Sequence, residues 1–332
     1  MSSSVLLIGG EGYIGSVLSN YLLHKGYKVR SLDALIYPDQ KMDLVKANIK
    51  NFEFILGDIR NKTILKKSLE GINSVVILAG LVGDPITKKY PKEAQEINYH
   101  AIKDLINQCD NKKIEKLIFI STCSNYGFID ETLKAKEEHE LKPLSLYAKH
   151  KVEIENYILS LKGKINFCPT ILRFATAFGS SPRMRFDLTV NQFTKELFNK
   201  NPLNIYDENT WRPYCHVKDF SRLIEIVLNE KKEKLNFQIF NSGGDQNNFT
   251  KKNIIEAITK LIPSNNKISY EPGDKDKRNY RVNFEKVKKL LNFNVEYTIQ
   301  DGIQEMISSL KSNLYQKKRN KIDKLGNFEI NL

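Results

Sequence analysis

Cysteine is scarce. The chain has four in 332 residues, at positions 109, 123, 168 and 215, and no two share the CxxC spacing. That argues against a disulfide framework and a zinc site, so a reducing compartment and no bound metal are expected. No apolar run reaches membrane-spanning length, and no charged n-region with an apolar h-region precedes the first strand-like run at residues 5–8. Neither a membrane partner nor a secretory signal is expected, and the cytoplasm is the default location. Internal repeats and low-complexity segments are lacking too. Acidic residues are outnumbered, 39 against 52 Lys and Arg, for a net charge of +13. A basic balance attracts phosphate. The lysines, however, are dispersed and no nucleic-acid motif accompanies them. They read as a solvated surface that also suits a small diphosphate, and no nucleic-acid partner is expected.

What is present begins with an all-apolar run at residues 5–8. Gly9, Gly12 and Gly15 follow in GGEGYIG, and a helical run at 16–24 is closed by Gly26. A strand, a glycine-rich turn and a helix let backbone approach a pyrophosphate and offer it the free N–H groups of the helix N-terminus. The spacing is GxxGxxG, so the flanking elements carry the reading as much as the glycines do. A second strand, 27–32, ends at Asp33. An acid there accepts hydrogen bonds from the adenosine ribose and repels a 2′-phosphate, which favours NAD, although Lys28 and Arg30 leave NADP open. A third strand, 52–56, runs into Asp58, placed to meet the adenine amino group. A fourth, 74–78, ends in Ala79-Gly80-Leu81-Val82-Gly83, small residues against which a cofactor could lie.

Residues 91–109 read as one long helix, with Asn98 expected to tie down a neighbouring loop. Residues 116–120 form a fifth strand and 167–174 a sixth. Strands alternating with helices predict an α/β fold, a doubly wound parallel sheet of the Rossmann type, with a smaller C-terminal α/β substrate-binding region. The expected boundaries are an NAD-binding domain at 1–175, a substrate-binding region at 176–312 interleaved with the main sheet, and a basic tail at 313–332, exposed or loosely packed. Ligands bind at the carboxyl ends of such strands, where Asp33, Asp58, Ala79 and Thr122 converge.

Thr122 lies in Ser121-Thr122-Cys123-Ser124, at the end of the fifth strand. Tyr147 and Lys151 open a helical run, four residues apart and so on one face. Tyrosine is a poor base at its ordinary pKa of about 10. A lysine ammonium and a positive nicotinamide favour its phenolate by charge attraction. Tyr147 can then take a proton from a substrate hydroxyl that Thr122 orients, coupled to oxidation of the carbinol.

Together these residues resemble an extended short-chain dehydrogenase/reductase of the NAD-dependent nucleotide-sugar epimerase/dehydratase family. The resemblance rests on GGEGYIG at 9–15, GDIR at 57–60, LAGLVGD at 78–84, STCSNYG at 121–127, YAKHK at 147–151, RFATAFGSSPRMRFDLTVNQF at 173–193, WRPYCHVKD at 211–219 and DKRNYRVNFEK at 276–286. It implies catalytic roles for Thr122, Tyr147 and Lys151. It implies NAD contacts from Gly9, Gly12, Tyr13, Ile14, Gly15, Asp33, Asp58, Ile59, Leu78, Ala79, Gly80 and Lys151. Asn191 resembles a position that meets the nucleotide, and Arg212 and Arg278 resemble arginines that clamp the diphosphate. Ser124, Arg183 and Arg185 are further substrate candidates.

The resemblance also implies a homodimer through the helices at 91–109 and 147–161. Dehydratases of this family carry Asp-Glu directly after the catalytic threonine. Here Cys123 and Ser124 stand there, so dehydration is disfavoured. Cys123, the lone His216 and Met184 read as packing or structural residues. The expected activity is an epimerase acting on a nucleoside-diphosphate sugar by transient oxidation, at C4. The alternatives are a net 4-dehydrogenase or 4-ketoreductase, for instance on a GDP-hexose or GDP-heptose, and a non-catalytic nucleotide-binding protein.

Overall fold

The computed structural model describes residues 3–37, 49–110, 112–262, 267–273, 278–312, 315 and 325–331. The basic run at 317–321 and the first two residues of the motif at 276–286 lie outside the described residues.

Six strands alternate with helices through the first half: β1 (Ser4–Ile8), β2 (Lys28–Asp33), β3 (Phe52–Leu56), β4 (Ser74–Ile77), β5 (Lys116–Thr122) and β6 (Cys168–Phe174). After them come β7 (Thr176–Phe178), β8 (Leu203–Tyr206), β9 (Trp211–His216), β10 (Gln238–Ser242), β11 (Asn248–Thr250) and β12 (Ile268–Glu271). The main sheet has seven strands in the order β10-β6-β5-β4-β1-β2-β3, all parallel. The expected Rossmann-type sheet is therefore present. The chain winds outward from β1 in one direction and then from β4 in the other. That leaves a crevice beyond the carboxyl ends of β1 and β4, where such sheets bind ligands.

The central strands β1 and β4 are apolar beyond their first residue because both faces are covered. Val5 and Leu7 of β1 join one core, and Leu6 and Ile8 join the other. The same alternation continues in β5, with Ile118 and Ile120 on one side and Leu117 and Phe119 on the other. The helix Tyr13–His24 begins at Gly12, which has no side-chain cap, so the first N–H groups face the crevice end of β1.

The predicted single helix at 91–109 is interrupted. It runs as Pro91–Gln95, a π turn at Glu96–Ala101, and Ile102–Asp110. Inserted π turns are common at functional sites. Here the turn carries Asn98, whose Oδ1 accepts from Leu81 N at 2.7 Å and whose Nδ2 donates to Leu81 O at 3.0 Å. Asn98 thus ties down the loop after β4, as its type suggested.

β7, β9 and β11 form a small separate sheet, and β8 pairs with β12. These pack on helices Thr189–Phe198, Lys251–Leu261 and Ile299–Lys311 around Phe178, Leu197, Ile258 and Ile303. β10 leaves this region and returns to the edge of the main sheet beside β6.

Candidate active site

A cavity of about 450 Å³ opens at the carboxyl ends of β1, β2, β4 and β5. Its size lies within the range that small-molecule sites occupy. Gly9 holds φ +83°, and a Cβ there would meet Ala79 backbone at 2.8 Å. A Cβ on Gly15 would lie 2.4 Å from Gly9 O. Both positions require glycine, and the turn they make borders the cavity together with Gly12, Tyr13 and Ile14. Asp33 stands at the end of β2, its carboxylate fixed by N–H donors from Glu11 and Leu35, each at 2.9 Å. Asp58 and Ile59 line the same wall, as do Leu78, Ala79 and Gly80. Partial burial works against the Asp58 charge, but hydrogen bonds from Arg60 prevail and hold its carboxyl below the usual range.

Thr122, Tyr147 and Lys151 border the cavity on the β5 side. Ser145 caps the helix Leu146–Ser160 by accepting from Ala148 N, which fixes Tyr147 in its first turn. Lys151 sits one turn on. Its Nζ donates to Ile120 O at 2.7 Å and lies 5.8 Å from the Tyr147 ring centre. Burial pushes the Lys151 ammonium down to about 7, opposed by Glu155 one turn further. Burial also raises Tyr147, against the positive charge of Arg185. A buried Tyr147 therefore needs a cation beside it to ionise. Thr122 Oγ1 accepts from Ser124 N at 3.1 Å.

Behind this group lies a buried polar network. Glu155 accepts from Arg173 Nε at 3.1 Å and Nη2 at 2.6 Å, and from Asn125 Nδ2 at 2.9 Å. Ser121, next to Thr122, donates to the same carboxylate. Arg173 Nη1 reaches Tyr126 OH and Glu137 O, both at 3.0 Å. The strand end that carries Thr122 is thereby locked to the helix that carries Tyr147 and Lys151.

The far wall is rich in arginine. Arg212 donates to Trp211 O at 2.7 Å and to Arg278 O. Arg278 Nη2 lies 3.1 Å from Asp84 Oδ2. Arg185 is bidentate to Asp187, through Nε at 3.0 Å and Nη2 at 2.5 Å. Arg183 rests over the Tyr37 ring at 4.3 Å. Ser124 Oγ lies 3.2 Å from Tyr280 OH. These five expected substrate-side positions line the cavity, and the sixth, Asn191, does not.

Asn191 lies behind the cavity wall. It is fully buried, its Nδ2 donating to Tyr13 OH and Arg185 O, both at 3.0 Å, while its Oδ1 accepts from Gly179 N at 3.1 Å. Both amide donors are committed inside the wall, where they hold Tyr13 and the Arg185 backbone. Leu188 and Thr189, at the start of the same helix, are the residues that face the cavity.

Residues 5–243 match the sequence model of the NAD dependent epimerase/dehydratase family. The chain belongs to that family. An uncharacterized UDP-glucose epimerase, YtcB, of Bacillus subtilis is 30% identical over 94% of this chain and 99% of its own. The UDP-glucuronate 4-epimerase of Thermodesulfobacterium geofontis is 27% identical over 93% and 96%. Among solved structures, UDP-glucuronic acid 4-epimerase from Bacillus cereus, in complex with UDP-glucuronic acid and NAD, superposes with a TM-score of 0.84 at 26% identity, covering 93% of this chain and 99% of that one.

The NAD dependence of the family fits this cavity. The close backbone packing that Gly9 and Gly15 permit shapes the turn whose N–H groups a pyrophosphate would meet, and Asp33 presents a carboxylate where an adenosine ribose would lie. Arg30, which left NADP open, is turned away: it bonds Glu53 and the carbonyls of Ser68 and Glu70.

Other cavity residues escaped the sequence. Tyr280, Asp84, Tyr37 and Asp187 line the cavity, and so do Asn327 and Phe328 from the end of the described chain. Glu155 left one signal: a carboxylate at the helical spacing of Tyr147 and Lys151, between apolar Ile154 and Ile158. The residues read as structural are so. Cys123 is buried with its thiol raised by burial, and donates to Arg173 O at 3.2 Å. His216 caps the helix Val217–Asn229 through Lys218 N and lies 2.8 Å from Glu305. Met184 packs with Phe186 and Met306.

Proposed function

We propose that the protein is a nucleoside-diphosphate-sugar epimerase that inverts C4 by transient oxidation. The observation that carries this reading is one cavity bordered by Thr122, Tyr147 and Lys151, with the nucleotide turn at one end, Arg212 and Arg278 at the other, and no carboxylate directly after Thr122. The likeness to UDP-glucuronate 4-epimerases supports it and makes UDP sugars the first substrates to test.

When bound, NAD supplies a reversible two-electron acceptor at the carbinol carbon. The chain supplies the rest. Arg212 and Arg278 offer planar donors to the diphosphate. The Thr122 hydroxyl holds the reacting oxygen. Tyr147 removes its proton, its phenolate favoured by the Lys151 ammonium, and later returns a proton after the keto sugar has turned its other face. Lys151 would also hold the nicotinamide ribose. Cys123 and Ser124 offer no acid for elimination.

A panel of UDP-, GDP- and dTDP-sugars, followed by proton NMR, tests this. The C4 epimer is expected to form without added dinucleotide. Stoichiometric accumulation of reduced nicotinamide would instead establish a net dehydrogenase. A homodimer through the helices at 91–110 and Leu146–Ser160 belongs to the same proposal. Light scattering at the mass of two chains supports it, and a monomer at assay concentration sinks it.

A further inference from the structure

Residues 325–331 fold back over the body of the protein. At one end Phe186 N donates to Leu325 O at 2.8 Å, and at the other Asn331 N donates to Ile36 O at 2.6 Å. Between them Asn327 is buried. Its Oδ1 accepts from Arg183 Nη1 at 2.6 Å, and its Nδ2 donates to Val82 O at 2.9 Å. Arg183 Nη2 adds a bond to Gly326 O at 3.1 Å. Ile330 enters the core on that side of the sheet.

The anchors say what lies beneath. Ile36 follows Asp33 at the end of β2, and Val82 follows Ala79 and Gly80 at the end of β4. Both belong to the dinucleotide side of the cavity. Asn327 and Phe328 line the main cavity, and Asn331 lines a smaller cleft beside it with Gly57, Asp58 and Arg60. The segment therefore crosses from the end of β4 to the end of β3, over the groove that the glycine turn and Asp33 define. Arg212 and Arg278 reach the cavity from β9 and from beyond β12, on other elements.

We propose that residues 325–331 are part of the NAD site: a strap, latched by Asn327 and Arg183, that retains the dinucleotide while the nucleotide sugar exchanges past Arg212 and Arg278. Two donors of Arg183 hold the strap, which reassigns that residue from the substrate to the cofactor side. The proposal rests on the NAD dependence of the family and on the strap's path. It does not depend on which sugar carbon reacts or on the net reaction.

The test is release of NADH. Protein loaded with NADH is chased with excess NAD⁺, and the fall in nicotinamide fluorescence is timed. Three chains are compared: full length, a chain ending at residue 324, and full-length Asn327→Ala/Phe328→Ala. Losing the Asn327 bonds and the Phe328 cover should speed release at least about tenfold in both variants, the effect of one or two net hydrogen bonds. Affinity for UDP should stay unchanged. Unaltered NADH release from the folded double variant overturns the proposal, whatever the truncation does. Weakened UDP binding with unaltered NADH release also overturns it, since the segment would then serve the substrate.

Discussion

Replacing Tyr147 with Phe lowers turnover by roughly 10³-fold while NAD stays bound, the loss expected when a positioned general base is removed. The substitution isolates one atom. The ring keeps its place in the first turn of the helix capped by Ser145, and Lys151 keeps its bond to Ile120 O. The phenol's oxygen alone is lost, and with it the acceptor for the sugar proton. The dinucleotide contacts at Gly9, Gly15 and Asp33 arise from other elements and are untouched. Steady-state rates on the substrate that the sugar panel identifies, together with NAD content after gel filtration, are the measurements. Full activity in Tyr147→Phe would remove the assigned base. Loss of NAD together with activity would mean that the ring serves the fold or the cofactor site.

Glu155→Ala should have the largest effect on stability, about 3–5 kcal/mol, because it leaves an uncompensated guanidinium in the interior. The Arg173 and Glu155 side chains are 3% and 1% exposed. Removal of the carboxylate strips Arg173 of its counter-charge and takes away the acceptor that Ser121 and Asn125 share, although Asn125 Nδ2 still reaches Ser121 Oγ at 3.1 Å. An exposed pair such as Lys62–Asp104 contributes little by comparison. Urea unfolding measures the loss, and a change no larger than that of a surface pair would refute the account. Glu155→Gln keeps the shape and probes the chemistry. Glu155 raises the Lys151 pKa against burial. Without its charge Lys151 loses its proton at lower pH. Activity requires the ammonium, so the alkaline limb of the pH–rate profile should move to lower pH. A limb that stays in place, or moves upward, would separate Glu155 from the catalytic group.

What the sequence disclosed was mostly local. The turn at Gly9–Gly15 and the acid at Asp33 each need only neighbouring residues to be legible, and Tyr147 with Lys151 needs only the helical repeat. The parallel sheet followed from alternation. What it hid depends on which face of an element meets which neighbour. Asn191 sits one turn beyond Leu188, and nothing in its spacing says that its amide faces inward to Tyr13 and Arg185. The π turn at Glu96–Ala101 has no marker stronger than Asn98, whose partner Leu81 lies far away in sequence. Glu155 gains meaning only when its helix is laid against β5 and β6. Residues 325–331 show no helical or strand repeat in sequence, and only long-range bonds to Val82, Ile36 and Arg183 draw them over the groove.

The return of β10 to the main sheet bears on how the chain reaches this fold. β6 pairs on one edge with β5 and on the other with β10, so its outer edge stays bare from Phe174 until Gln238 has been synthesised. A bare parallel edge is a template for wrong pairing, and closing it is slow because the partner is distant in sequence. β7, β8, β9 and the helices Thr189–Phe198 and Val217–Asn229 are made in that interval. The main sheet thus cannot be completed until the chain has passed through β7, β8 and β9.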